Sequence, residues 1–153
     1  MNKLGNYVCG QWTEGSGDGT TLYNAITGDP LALATTDGLD MAAALEYGRT
    51  KGGEVLRKMT FPERGRMLKA LALHLMEKKE SYYVLSAATG ATRADSWIDI
   101  EGGIGNLFAY ASLRRQFPNL PYNVEGNHVG LSKGGTFIGH HIMVPKEGVA
   151  IHI

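Results

Sequence analysis

The string Thr60-Phe61-Pro62-Glu63 does more than any other to limit what this chain can fold into. A threonine followed three residues later by glutamate is a capping box, in which each side chain satisfies the other residue's free backbone amide. Pro62 suits a first helical turn, where its missing N–H would have no partner anyway. Helical period follows. Met67, Leu68, Leu71, Ala72 and Leu75 share one face, while Arg64, Lys69, Lys78 and Lys79 lie mostly off it. Such a helix needs a core to pack on, and 153 residues are enough chain to bury one.

On either side the pattern differs. Residues 4–36 read as short strands. Tyr7-Val8-Cys9-Gly10-Gln11-Trp12 forms one run, then come a Gly/Ser/Asp cluster, residues 20–25, the turn Gly28-Asp29-Pro30 and residues 31–36. Turn residues every eight to ten positions between β-favouring runs predict hairpins or a meander. Asp37 is then expected to cap a helix through Met41-Ala42-Ala43-Ala44-Leu45 that Gly52-Gly53 ends. Beyond the long helix, residues 80–89 predict a short one that stops at Gly90. Thr92 with Asp95 restarts a longer one through Trp97, Ile98, Ile104, Leu107, Phe108 and Ala111, ending before Pro118. Strand character returns in residues 123–132 and 136–144, which flank a hairpin loop at Lys133-Gly134-Gly135. Gly148-Val149-Ala150-Ile151-His152-Ile153 reads as a buried strand. A chain that ended within such a strand would leave backbone and apolar surface unpaired, so a longer protein is expected.

Composition narrows the function classes. Lys+Arg and Asp+Glu both number 15, a net charge of zero that offers no footprint for nucleic acid or an anionic membrane. No apolar signal core follows Met1, and no stretch approaches the roughly 18 apolar residues of a membrane span. Cys9 is the one cysteine, so no internal disulfide can form and a cytoplasmic location is expected. The 21 glycines are spread as punctuation, with no repeat or low-complexity tract.

Candidate chemistry is sparse. A nucleophilic cysteine needs a base or helix N-terminus to lower its pKa, and Cys9, in a predicted strand, has neither. His140-His141 would point to opposite faces of a strand, His74 reads as a surface residue, and no metal site is expected. No phosphate-loop pattern occurs, and Gly102-Gly103-Ile104-Gly105 does not fit G-x-G-x-x-G. Glycine inside a helix costs roughly 1 kcal/mol against alanine. The stretch therefore implies either close packing or room for a ligand. Asp95 and Asp99, four apart on one face, read as an acid–base pair or, more simply, as a solvated face with Asp95 in the cap. No catalytic residue is identified.

Longer strings carry a resemblance. The segment from Ser86-Ala87-Ala88-Thr89-Gly90 through Asp95-Ser96-Trp97-Ile98-Asp99-Ile100-Glu101-Gly102-Gly103-Ile104-Gly105 resembles aldehyde dehydrogenases. Within them it is similar to the bifunctional aldehyde dehydrogenase/enoyl-CoA hydratase branch of phenylacetate degradation (oxepin-CoA hydrolase/semialdehyde dehydrogenase). Gly38-Leu39-Asp40-Met41, Met59-Thr60-Phe61-Pro62-Glu63-Arg64 and Gly148–Ile153 resemble the same branch; a semialdehyde dehydrogenase of the benzoyl-CoA pathway is similar, and a fragment of such an enzyme is the alternative branch. The resemblance implies an α/β fold forming the N-terminal part of an aldehyde dehydrogenase. Its parts would be strands or a hairpin in 1–36, a helical portion of the cofactor-binding domain in 37–117, an oligomerisation hairpin in 118–147, and the first Rossmann-like strand in 148–153.

By the same resemblance the parent enzyme oxidises a CoA-linked semialdehyde with NADP. A cysteine attacks the aldehyde, and a glutamate-activated water releases the acid. Those residues, and an Asn-x-Phe-Asn-Phe-Pro motif, would lie beyond this chain, which would not be catalytic alone. Ile98 and Gly102 would line the substrate channel. Ile153 would approach the cofactor through its backbone, and residues 123–144 would mediate homo-oligomerisation. Two alternatives are a non-catalytic truncated module that pairs with a dehydrogenase partner and an unrelated small α/β protein.

Overall fold

A computed structural model describes residues 1–152. It shows a mixed α/β chain with three separate two-stranded antiparallel sheets around a helical middle. Strands β1 (Gly5–Val8) and β2 (Gln11–Glu14) form the first hairpin, and β3 (Thr20–Tyr23) pairs with β4 (Pro30–Ala34) in the second. Asn6 ties them together by donating its side-chain amide to the Thr35 carbonyl at 2.9 Å. Cys9 is not part of a strand. It forms a tight turn with Gly10, the two at φ 51° and 85°. Positive φ at both central residues matches the right-handed twist of the flanking strands.

The first helix, α1 (Met41–Tyr47), is capped by Asp40 rather than Asp37, the Asp40 carboxylate accepting from the Ala43 amide at 2.9 Å. Nor do Gly52-Gly53 end it. The chain continues through a π segment, Gly48–Gly52, into α2 (Gly53–Lys58), with Gly52 and Gly53 in right-handed helical geometry. Helix α3 (Phe61–Glu77) starts on the full Thr60/Glu63 capping box with Pro62 in its first turn. Its buried seam runs through Pro62, Gly65 and Ala72, whereas Met67 and Leu71 of the predicted face remain exposed.

Helix α4 (Lys79–Ala87) ends before Gly90, which takes φ 86°. A second capping box, Thr92 with Asp95, opens α5 (Arg93–Trp97). A second π segment, Ile98–Gly102, leads into α6 (Gly103–Ser112) and a short 3₁₀ turn, Leu113–Arg115. Helix α3 packs against α6. With Pro62 and Gly65, the residues Ala72, Tyr83, Ser96, Ile104 and Ala111 are the buried residues of this helical layer. Phe61 stacks on Phe117 at 4.6 Å and fastens the start of α3 to the chain beyond α6.

The last hairpin, β5 (Asn123–Gly130) with β6 (Ile138–Met143), has a register shift between Glu125 and Val129. No strand forms over residues 148–152, and Val149 and Ile151 are exposed. Accessible surface totals 11248 Å², against about 7500 Å² for a compact monomer of this length. The excess follows from sheets of only two strands, whose faces find little to cover them.

Candidate functional site

The Thr92/Asp95 box fixes where the glycine-bearing helix begins. The Thr92 hydroxyl accepts from the Asp95 amide at 3.2 Å, and the Asp95 carboxylate takes the Thr92 amide at 3.2 Å and its hydroxyl at 2.6 Å. Asp95 is therefore occupied in the cap, and the predicted Asp95/Asp99 pair is not a free acid–base couple. One turn on, Ser96 is buried, its hydroxyl 2.8 Å from that of Ser86 on α4.

From there the helix widens. In a π turn the hydrogen bonds run from i to i+5, a geometry that is rare and often found at functional sites. Ile98 and Gly102 bound this turn and both face solvent, Ile98 at 62% exposure. A Cβ added at Gly102, Gly103 or Gly105 would meet nothing within 4 Å. Of the two readings of these glycines, close packing within the described chain is excluded, and open space on that face is what the structure shows. Trp97 and Tyr110 are exposed as well.

Glu101, in the same turn, points the other way. Its carboxylate accepts from the Tyr83 hydroxyl at 2.8 Å and from Lys79 Nζ at 3.1 Å. The hydrogen bond from Tyr83, and after it the one from Lys79, holds the carboxyl below its ordinary range. Tyr83 is pushed up, first by burial and then by bonding to the carboxylate. The Arg93 guanidinium lies 4.3 Å from the centre of the Tyr83 ring. Sequence reasoning noted Glu101 only as an acid beside glycine; Tyr83 and Lys79 lie 18 and 22 residues away, with no local pattern to link them.

The site does not form a nucleotide cradle. A dinucleotide fingerprint presents free amides at a helix start. Here the Gly103 amide already donates to the Asp99 and Ile100 carbonyls inside a continuous helix. Ile153, the expected cofactor contact, lies outside the described residues. The start of α6 therefore does not fit the dinucleotide by itself. Cys9 is exposed at a hairpin tip. His128 and His140 face each other at 5.8 Å, and His141 lies 3.7 Å from Glu125. No group of three metal-ligating side chains occurs among the described residues, and no helix among them is long and apolar enough to cross a membrane.

No family model matches the chain. Over 152 residues it is 40% identical to the 3,4-dehydroadipyl-CoA semialdehyde dehydrogenase of Aromatoleum evansii. That alignment takes in 99% of this chain and 30% of the relative, so the chain spans under a third of that enzyme's length. The similarity relates it to a dehydrogenase named for a CoA-linked semialdehyde.

Proposed function

We propose that this chain supplies the N-terminal part of an NADP-dependent enzyme that oxidises a CoA-linked semialdehyde in aromatic breakdown, the phenylacetate route first among them. The observation that carries it is 40% identity, over nearly the whole chain, to a dehydrogenase acting on such a substrate. Ile98 and Gly102 line the substrate channel in this reading. The open face at Gly102 supports it, because an acyl-CoA chain bearing an aldehyde needs a groove free of side chains. The cofactor and the reacting groups come from the remainder of the enzyme.

The hairpin β5–β6 is the surface for homo-oligomerisation. Among the described residues no other strand pairs with either of its edges, and Val124 and Ile142, paired across it, are exposed. Such edges equally suit strand addition to a dehydrogenase partner, the role of a truncated module.

The test is to express the full reading frame that encodes this chain and measure reduction of NADP and NAD. The substrates are 3,4-dehydroadipyl-CoA semialdehyde and the aldehyde freed on opening an oxepin-CoA ring. Turnover is expected with the full protein and none with residues 1–153 alone. Turnover with simple aldehydes but neither CoA ester overturns the substrate class. Tight NADP binding by residues 1–153 overturns the division of labour.

A further inference from the structure

We propose that Glu101 is a positioning residue: held by Tyr83 and Lys79, it fixes the wide turn Ile98–Gly102 and so sets how large an acyl chain the Gly102 face admits. This rests on the reading of that face as a substrate channel.

A π turn inserted between two α-helices interrupts the regular i to i+4 ladder, so a side-chain contact to a neighbouring helix adds restraint where the ladder is irregular. Among the described residues, Gly102 and Gly103 have no neighbour within Cβ reach. The restraint comes from the inner side. Glu101 is the residue of the turn that reaches across to α4, its side chain 21% exposed, whereas Ile98 is 62% exposed.

Its anchor is firm. Tyr83 is buried, and Arg93 covers its ring. The Ser86–Ser96 hydroxyl contact fixes α4 against α5 one turn earlier. Both donors meet a single carboxylate oxygen, Oε1, which is why the turn is located as well as attached. Charge-assisted hydrogen bonds of this kind are the stronger ones. Moving Glu101 along the helix would move Ile98 and Gly102 with it.

Two variants separate this role from bulk stability. Glu101→Ala removes the tether. Glu101→Gln keeps an acceptor oxygen for Tyr83 and Lys79 and loses only the charge. In residues 1–153, amide exchange at positions 98–103 should accelerate about tenfold in Glu101→Ala and much less in Glu101→Gln, with α3 unchanged. In the full enzyme, Glu101→Ala should raise KM for the CoA-linked semialdehyde about fivefold with kcat little changed, and Glu101→Gln should restore most of it. Unchanged exchange in Glu101→Ala overturns the tether. Faster exchange with an unchanged KM overturns the positioning role. If the unsubstituted full enzyme turns over no CoA-linked aldehyde, the channel reading fails and the positioning role falls with it, whatever the exchange data show about the tether.

Discussion

Gly65 of α3 lies so close beneath Arg114 that a Cβ built on it would stand 2.7 Å from the arginine Cβ and 3.1 Å from the Ala111 carbonyl oxygen. Here glycine permits close helix approach, and alanine's better helix propensity cannot compensate for the clash. Gly65→Ala should destabilise the chain by about 1–3 kcal/mol. Gly103→Ala, in open space, should instead stabilise it by about 0.5–1 kcal/mol. Urea midpoints decide; equal effects at the two positions would refute the contrast.

Acid should weaken the α4–π contact. Glu101 has a folded pKa held below its ordinary value of 4.5 by the hydrogen bonds from Tyr83 and Lys79. Its contribution is therefore present above that ordinary value and is lost as pH falls through the lower folded one. Glu46, Glu54 and Glu63 are lowered too and add to the same loss. Because an amide does not titrate there, Glu101→Gln should show a shallower fall in urea midpoint with acid than the unsubstituted chain. Identical slopes would remove Glu101 from the account.

Enlarging the open face should discriminate between substrates. Gly102→Leu in the full enzyme is expected to raise KM for the CoA-linked semialdehyde about five- to tenfold, while thermal stability holds or rises. An unchanged KM would withdraw Gly102 from the channel.

Exposed apolar area predicts association. Residues 1–153 should self-associate with concentration in analytical ultracentrifugation. Ile142→Glu, placed on the β5–β6 hairpin opposite Val124, should lower the association state of the full enzyme without loss of helix signal. A full enzyme whose assembly ignores this change does not use the hairpin as its interface.

Cys9 is exposed at a turn, and among the described residues no hydrogen bond joins it to a base. Labelling with a thiol reagent should be fast in the native chain, and Cys9→Ser should leave turnover of the full enzyme intact. Loss of turnover would return Cys9 to the list of nucleophiles.

What could be read from the sequence depended on how far apart the partners lie. Thr60 with Glu63 and Thr92 with Asp95 bond within three residues, so the letters alone located both helix starts. Asp37 misled because Gly38, at φ 76°, turns the chain before Asp40 can cap it. Gly52 and Gly53 misled because glycine stops a helix by turning left-handed, and these two stay at φ −68° and −63°. The Cys9-Gly10 turn lay hidden in a β-favouring run without the Asn-Gly signal that usually marks it. Residues 148–152 have strand composition, but a strand exists only with a partner, and none stands beside them among the described residues. The Tyr83–Glu101 bond joins distant residues, so only the fold could reveal it.

The described strands pair two by two in chain order, β1 with β2, β3 with β4 and β5 with β6. Loop closure over such short separations is fast, with hairpins forming in roughly 1–10 μs, whereas a ribosome adds about 5–20 residues per second. The β1–β2 and β3–β4 hairpins can therefore be complete before α3 has left the exit tunnel. The α3–α6 contact joins segments much farther apart in sequence and must wait until both have emerged, and the interval before it forms is when a nascent chain of this kind most needs a chaperone.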